Sequence, residues 1–120
     1  MKFELTQSFY FEAAHTLQRA YETESSRRVH GHTYTAKVTV SGEPDPRTGM
    51  VVDLAQLREA VVQLREGLDH RMLDDIAELG PATLENLCRY IWAQLKHAGW
   101  KITRVEVGRG ASGDACCLTL

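Results

Sequence analysis

The chain has 120 residues, 43% of them hydrophobic and 25% charged, with a formal net charge of -2. That balance describes one folded domain and excludes a disordered chain or a broadly basic nucleic-acid-binding surface. No apolar run reaches the roughly 20 residues of a membrane span, and Glu4 and Gln7 interrupt the N-terminal stretch where a secretory signal needs an apolar run.

The three cysteines, Cys88, Cys116 and Cys117, are odd in number, and two of them are neighbours. A disulfide framework is not expected from such a set, which agrees with a reducing compartment. The reading is a single domain over 1–120, cytoplasmic, with no nucleic-acid and no membrane partner.

Phe3, Leu5, Phe9 and Phe11 sit at odd positions with mostly polar residues between them. This period of two predicts a strand ending near His15. Residues 16 to 29 are charged and predict an irregular connection. From His32 to Val40 the strand pattern returns, with Tyr34, Ala36, Val38 and Val40 on one face. Residues 42 to 49, rich in Gly, Pro and Asp, read as a turn.

Asp53 is a candidate N-cap. Leu54, Leu57, Val61, Leu64 and Leu68 follow in steps of three and four, which predicts an amphipathic helix ending near Gly67. Thr83 is a second N-cap, with the stripe Leu84, Leu87, Ile91 and Leu95 and a stop at Gly99. Strands at about 101–108 and 115–120, joined by a turn at Gly110 to Gly113, complete a ββααββ order. Strands on either side of a helical block predict an α+β domain: a four-stranded antiparallel sheet with two helices on one face. The open edges of such a sheet favour pairing in a symmetric oligomer.

Three histidines carry the chemistry. His30 and His32 are two apart, so an extended backbone points both rings to one side, and Gly31 leaves the backbone between them free to bend. If the first two strands pair antiparallel, His15 meets them at the same end. Three imidazoles without a nearby cysteine suit a zinc ion with one open position, the catalytic rather than the structural arrangement. His97, near a helix end, reads as structural. Asp69 beside His70 is a candidate for fixing the tautomer of a general acid or base.

Five segments occur in order: FEAAH at 11–15, HGH at 30–32, GMVVDLAQL at 49–57, LDHRML at 68–73 and PATLEN at 81–86. Together they make the chain, from about residue 3 to 108, resemble the 6-pyruvoyl-tetrahydropterin synthase and 6-carboxy-tetrahydropterin synthase family. The resemblance implies a T-fold, whose subunits join sheets into a barrel as trimers that usually stack into hexamers. It implies Zn2+ on His15, His30 and His32, and 7,8-dihydroneopterin triphosphate as a pterin substrate. It further implies a lyase of the 6-carboxy-tetrahydropterin branch, which releases acetaldehyde and serves queuosine synthesis. Asp69 and His70 would relay protons, and Thr83 and Glu85 would contribute to the pterin pocket.

Two positions depart from the family pattern. The catalytic cysteine, four residues before the first histidine of HGH, is Ser26 here, and a hydroxyl is a far weaker acid than a thiol. The glutamate that anchors the pterin ring is Arg109, which donates hydrogen bonds but cannot accept them. Glu106 has the right chemistry but lies on the opposite strand face. The departures leave open a zinc enzyme with another substrate, or a non-catalytic zinc- or ligand-binding paralogue. Arg27 and Arg28 offer a positive patch for phosphate oxygens.

Overall fold

Two thirteen-residue strands, β1 (Phe3–His15) and β2 (His30–Gly42), dominate the computed structural model, which describes residues 1–120. They pair antiparallel without a slip, from Phe3 opposite Gly42 to His15 opposite His30. β3 (Ile102–Arg109) and β4 (Asp114–Thr119) extend the sheet in the order β1-β2-β3-β4, every pair antiparallel. A bulge between Thr39 and Val40 shifts the β2–β3 register by one residue.

The alternation seen in the sequence sorts the two faces. Phe9, Phe11, Ala13 and His15 of β1 are buried, as are Tyr34, Ala36, Val38 and Val40 of β2 and Val105 and Val107 of β3. The helices α2 (Leu54–Glu66) and α3 (Leu84–Leu95) cover that face. α2 packs on β1, and α3 on β3 and β4. Leu57, Val61 and Leu64 of α2 and Leu87, Cys88, Ile91 and Leu95 of α3 join one core of 22 residues. The other face is polar, with Glu4, Thr6, Lys37, Thr39, Arg104 and Glu106 clustered on it. Glu106 pairs there with Arg104, away from the histidines.

The helix ends follow the sequence. Asp53 Oδ1 accepts from the Ala55 N–H at 2.9 Å, and Thr83 Oγ1 accepts from the Asn86 N–H at 3.1 Å. α2 stops at Gly67. α3 tightens into a 3-10 turn, Lys96–Ala98, and ends at Gly99, whose φ of 83° is one that glycine adopts without strain. No helix is long and apolar enough to cross a membrane.

The connection at 16–29 is more ordered than its charge pattern predicts. It contains a short helix, α1 (Thr23–Arg27), which buries Ser26. Tertiary contacts decide this: Leu17 N–H donates to Ser26 O at 2.8 Å, and both the N–H and hydroxyl of Thr16 donate to Asp74. Five residues are too few to form a helix on propensity alone, so no periodicity announced it. Gly31 also differs from expectation. A Cβ there meets only Ala13 O at 3.5 Å, an ordinary contact, and β2 runs through it regularly.

Residues 69–72 lie along the free edge of β1. His70 N–H donates to Glu12 O at 2.6 Å and Ala14 N–H to Arg71 O at 3.0 Å, and Met72 makes a parallel bridge to Ala14. Asp69 Oδ1 accepts from the Glu12 N–H at 2.9 Å, so a side chain takes the place of a strand partner. The edge is blocked only at this end.

All three cysteines are free. Cys88 is buried, Cys116 packs against the core and Cys117 is exposed, as alternation on β4 requires. The core assignment has a direct check. Leu87→Ala should lower the unfolding free energy by about 2–5 kcal/mol in urea titrations. Leu54→Ala, at a residue 36% exposed, should cost less than about 1 kcal/mol.

Candidate metal centre and flanking clefts

The strand register brings three ring nitrogens together. His15 Nε2 lies 2.9 Å from His30 Nε2 and 3.1 Å from His32 Nε2. The three residues form the one group of metal-ligating side chains with donor atoms all within 4.8 Å of one another. His15 is buried and the other two are half-buried.

The outer nitrogens show what the inner ones can do. His15 Nδ1 faces Ala82 O at 2.9 Å, and His30 Nδ1 faces Arg28 O at 2.7 Å. A carbonyl only accepts, so each Nδ1 carries the proton and each Nε2 presents a bare lone pair. Bare lone pairs 2.9 Å apart repel, and a cation shared between them removes the repulsion. Backbone carbonyls holding the outer N–H of metal-binding histidines are a recurrent support. Burial lowers the pKa of His15 despite the Ala82 carbonyl. Burial, then the Arg109 guanidinium, brings His32 down to about 4. Both rings are neutral at neutral pH, the state a metal requires. The residues therefore fit a zinc ion.

Tyr34 forms the floor. Its ring centroid lies 5.6 Å from that of His32 and stacks on Phe11 at 5.0 Å. Its hydroxyl is buried without a partner, and burial raises its pKa to about 12, so it stays protonated.

Two clefts flank the histidines. The first, about 540 Å³, is lined by Ser26, His30, His32, Arg19, Arg109 and Asp114 among others. Arg109 Nη1 lies 3.4 Å from His32 Nε2, and Nη2 donates to Asp114 Oδ2 at 2.6 Å. Ser26 is buried on α1 beside the same cleft.

The second cleft, about 510 Å³, opens among Glu12, Gly31, His32, Thr33, His70 and Arg71. Here His70 Nδ1–H donates to Asp69 Oδ2 at 2.9 Å, which leaves Nε2 as the free nitrogen, with Glu12 Oε2 4.0 Å from it. His70 has a φ of 58°, a left-handed conformation uncommon for a residue with a side chain. Its N–H bond to Glu12 O and the Asp69 bridge hold it there. The Glu12 N–H first, and His70 second, hold the Asp69 carboxyl below the usual carboxylate range.

Thus Ser26, His30 and His32 share one cleft, His70 lines the other with Asp69 hydrogen-bonded behind it, only His32 lines both, and His15 is buried and lines neither. The Thr83 hydroxyl caps α3. Glu85, in the first turn of that helix, is exposed and lines neither cleft. Arg27 bonds Gln18, and Arg28 pairs with Glu24 in solvent, so the cations of the first cleft are Arg19 and Arg109 instead. Asp114, Asp74 and the Ala82 carbonyl carry parts of the site that the sequence reading did not single out. Asp114 alone had a signal: a turn at Gly110 to Gly113 sets it opposite Arg109.

The 6-pyruvoyl tetrahydropterin synthase family profile matches residues 4–117. The chain belongs to this family. A putative 6-carboxy-5,6,7,8-tetrahydropterin synthase of Archaeoglobus fulgidus is 32% identical over 97 residues, covering 81% of this chain and 79% of that protein. The human 6-pyruvoyl tetrahydrobiopterin synthase is 44% identical over 71 residues, covering 56% of this chain and 49% of its own length. The match covers 42% of the Drosophila melanogaster synthase, so the aligned part spans about half, or less, of these two animal relatives. The structure of the Caenorhabditis elegans 6-pyruvoyl tetrahydropterin synthase superposes with a TM-score of 0.83 at 25% identity, covering 100% of this chain and 96% of that one. The four-stranded antiparallel sheet with its helices is the T-fold of this family.

Two measurements check the site. His15→Ala should abolish zinc retention after dialysis, from about one ion per chain, by elemental analysis, while His97→Ala keeps it. The second concerns Asp69, whose pKa is depressed in the fold. Its stabilisation is present above the unfolded value of about 3.9 and is lost as pH falls through the lower folded value. Asp69→Asn should therefore flatten the stability–pH curve below about pH 4, measured by chemical denaturation.

Proposed function

We propose that this chain is a zinc-dependent pterin synthase or lyase acting on 7,8-dihydroneopterin triphosphate. Within the family we assign it to the 6-carboxy-5,6,7,8-tetrahydropterin synthase type, which serves queuosine synthesis. The observation that carries this reading is the convergence of the Nε2 atoms of His15, His30 and His32, with the His15 and His30 rings oriented by backbone carbonyls. The Archaeoglobus relative supports the 6-carboxy branch.

A zinc ion there supplies Lewis acidity toward a substrate oxygen and lowers the pKa of what it binds. The chain's own residues supply the rest. Asp69 holds His70 in the tautomer with a free Nε2, which suits proton transfer at that atom. Ser26 sets polarity in the histidine cleft but is too weak an acid to carry the proton a thiol would, so the proton work falls to His70. Thr83 fixes the start of α3 just after Ala82, whose carbonyl orients His15, and so serves the pocket through position. Glu85 is exposed, free to reach a ligand held between subunits.

The same reading includes a homo-oligomer, a trimer or hexamer. β1 toward Phe3, and β4, have no strand beyond them, and His70 and Ser26 open into different clefts of one chain that share only His32. Assembly through the sheet edges into a barrel would complete the site and remove the exposed edges. A cytoplasmic setting agrees with three free cysteines.

One observation favours a second reading, a zinc enzyme with a different substrate. Arg109 lies against His32, where the family resemblance places a glutamate that accepts from the pterin ring.

The zinc-loaded protein, given 7,8-dihydroneopterin triphosphate, should release acetaldehyde and triphosphate, read by a coupled dehydrogenase assay and by chromatography. His70→Ala should lower kcat by about 10²–10⁴-fold with zinc content unchanged. Absence of both products from a protein with confirmed zinc would sink the first reading in favour of the second. Sedimentation equilibrium should give three or six times the mass of the 13.5 kDa chain.

A further inference from the structure

Arg109 closes the histidine cleft with a cation, and the sheet register puts it there. It follows Val105 and Val107 on the inward face of β3, one residue beyond the Gly108–Thr35 pair, and pairs across the β3–β4 turn with Asp114. Nη2 is held by Asp114, Nη1 stands 3.4 Å from His32 Nε2, and Nε is buried without any partner. The guanidinium is thus fixed yet keeps donors unused beside the cleft. A buried N–H without an acceptor costs free energy that a bound acceptor recovers.

Charge says what kind of acceptor. Arg19, the other arginine in the cleft, is already paired with Glu22 at 2.9 Å. Asp114 offsets Arg109 at 2.6 Å. The wall is therefore nearly balanced until a divalent ion joins the histidines. That ion and the guanidinium then repel. A neutral carbonyl could accept from the guanidinium but would leave the repulsion. An anionic oxygen does both, and arginine is the side chain best shaped to bind one.

We propose that the ligand of this cleft presents an oxyanion, a carboxylate or a phosphate, and that Arg109 binds it beside the metal so that anion and metal bind cooperatively. This rests on the zinc reading above and names the ligand chemistry of the same site. By linkage, an anion that tightens zinc is itself tightened by zinc to the same degree.

The test measures zinc affinity of the intact protein by competition with a chromophoric chelator. It uses perchlorate buffer alone, then the same buffer with acetate or with inorganic phosphate, the chelator being calibrated in each. In the wild type one anion should tighten zinc about tenfold, and the stronger arm distinguishes carboxylate from phosphate. Arg109→Gln should bind zinc more tightly than wild type in perchlorate and lose the anion effect. Asp114→Asn, a change at a half-exposed hairpin end that leaves the core untouched, should bind zinc more weakly in perchlorate and show a larger anion effect. Equal zinc affinity in all three buffers for wild type and Asp114→Asn overturns the proposal and leaves the zinc reading standing. So does an anion effect that survives in Arg109→Gln. Failure of the wild type to bind zinc in any buffer overturns both.

Discussion

Everything at the site depends on the register of one strand pair. β1 and β2 run antiparallel for thirteen residues, and the last pair of that ladder is His15 with His30. Because strand side chains alternate, His32 shares the face of His30, and Ala13 opposite it is small enough to leave the rings room. A slip of one residue would turn the imidazoles of one strand toward the polar face and take apart the core at the same time. The stacked Phe11 and Tyr34, cross-strand neighbours at a centroid distance of 5.0 Å, resist that slip. Core packing and the convergence of the three imidazoles are thus enforced by one set of contacts.

The histidine cluster is prepared for a cation rather than stabilised by itself. Carbonyls of Ala82 and Arg28 pull the protons to the outer nitrogens, and burial keeps His15 and His32 neutral. The cost is three electron-rich atoms facing one another. Folding supplies that arrangement through the hydrophobic core on the same sheet face, which is where the stabilisation to hold it comes from.

The polar groups are divided between the inner face of the β1–β2 pair and its open edge. Ser26 and Arg109 accompany the histidines on the inner side, while Asp69 and His70 are latched to the outer edge of β1 through Glu12. The same latch blocks part of an edge strand and orients His70. Ser26 and Arg109, the two positions where the sequence resemblance is broken, lie together in the inner cleft.

The sequence by itself determined the periodic elements. Alternation in 3–15 and 32–40 and the leucine stripes of both helices specify strands, helices and their buried faces, because those patterns repeat over enough residues to outweigh local noise. The HxH spacing placed two rings on one side, and the turn at Gly110 to Gly113 implied the β3–β4 pairing. Antiparallel pairing of the first two strands put His15 at the same end, and Asp69 beside His70 was legible as a dipeptide. Only the tertiary structure decided the rest. α1 is too short to stand on propensity and is held by Ser26, Leu17 and Asp74. The Ala82 carbonyl reaches His15 across 67 positions of sequence. The placement of Arg109 against His32 needed the β2–β3 register, which no local pattern encodes. Short-range periodicity is written residue by residue. Contacts between distant segments arise only when the packed sheet fixes where each one lies.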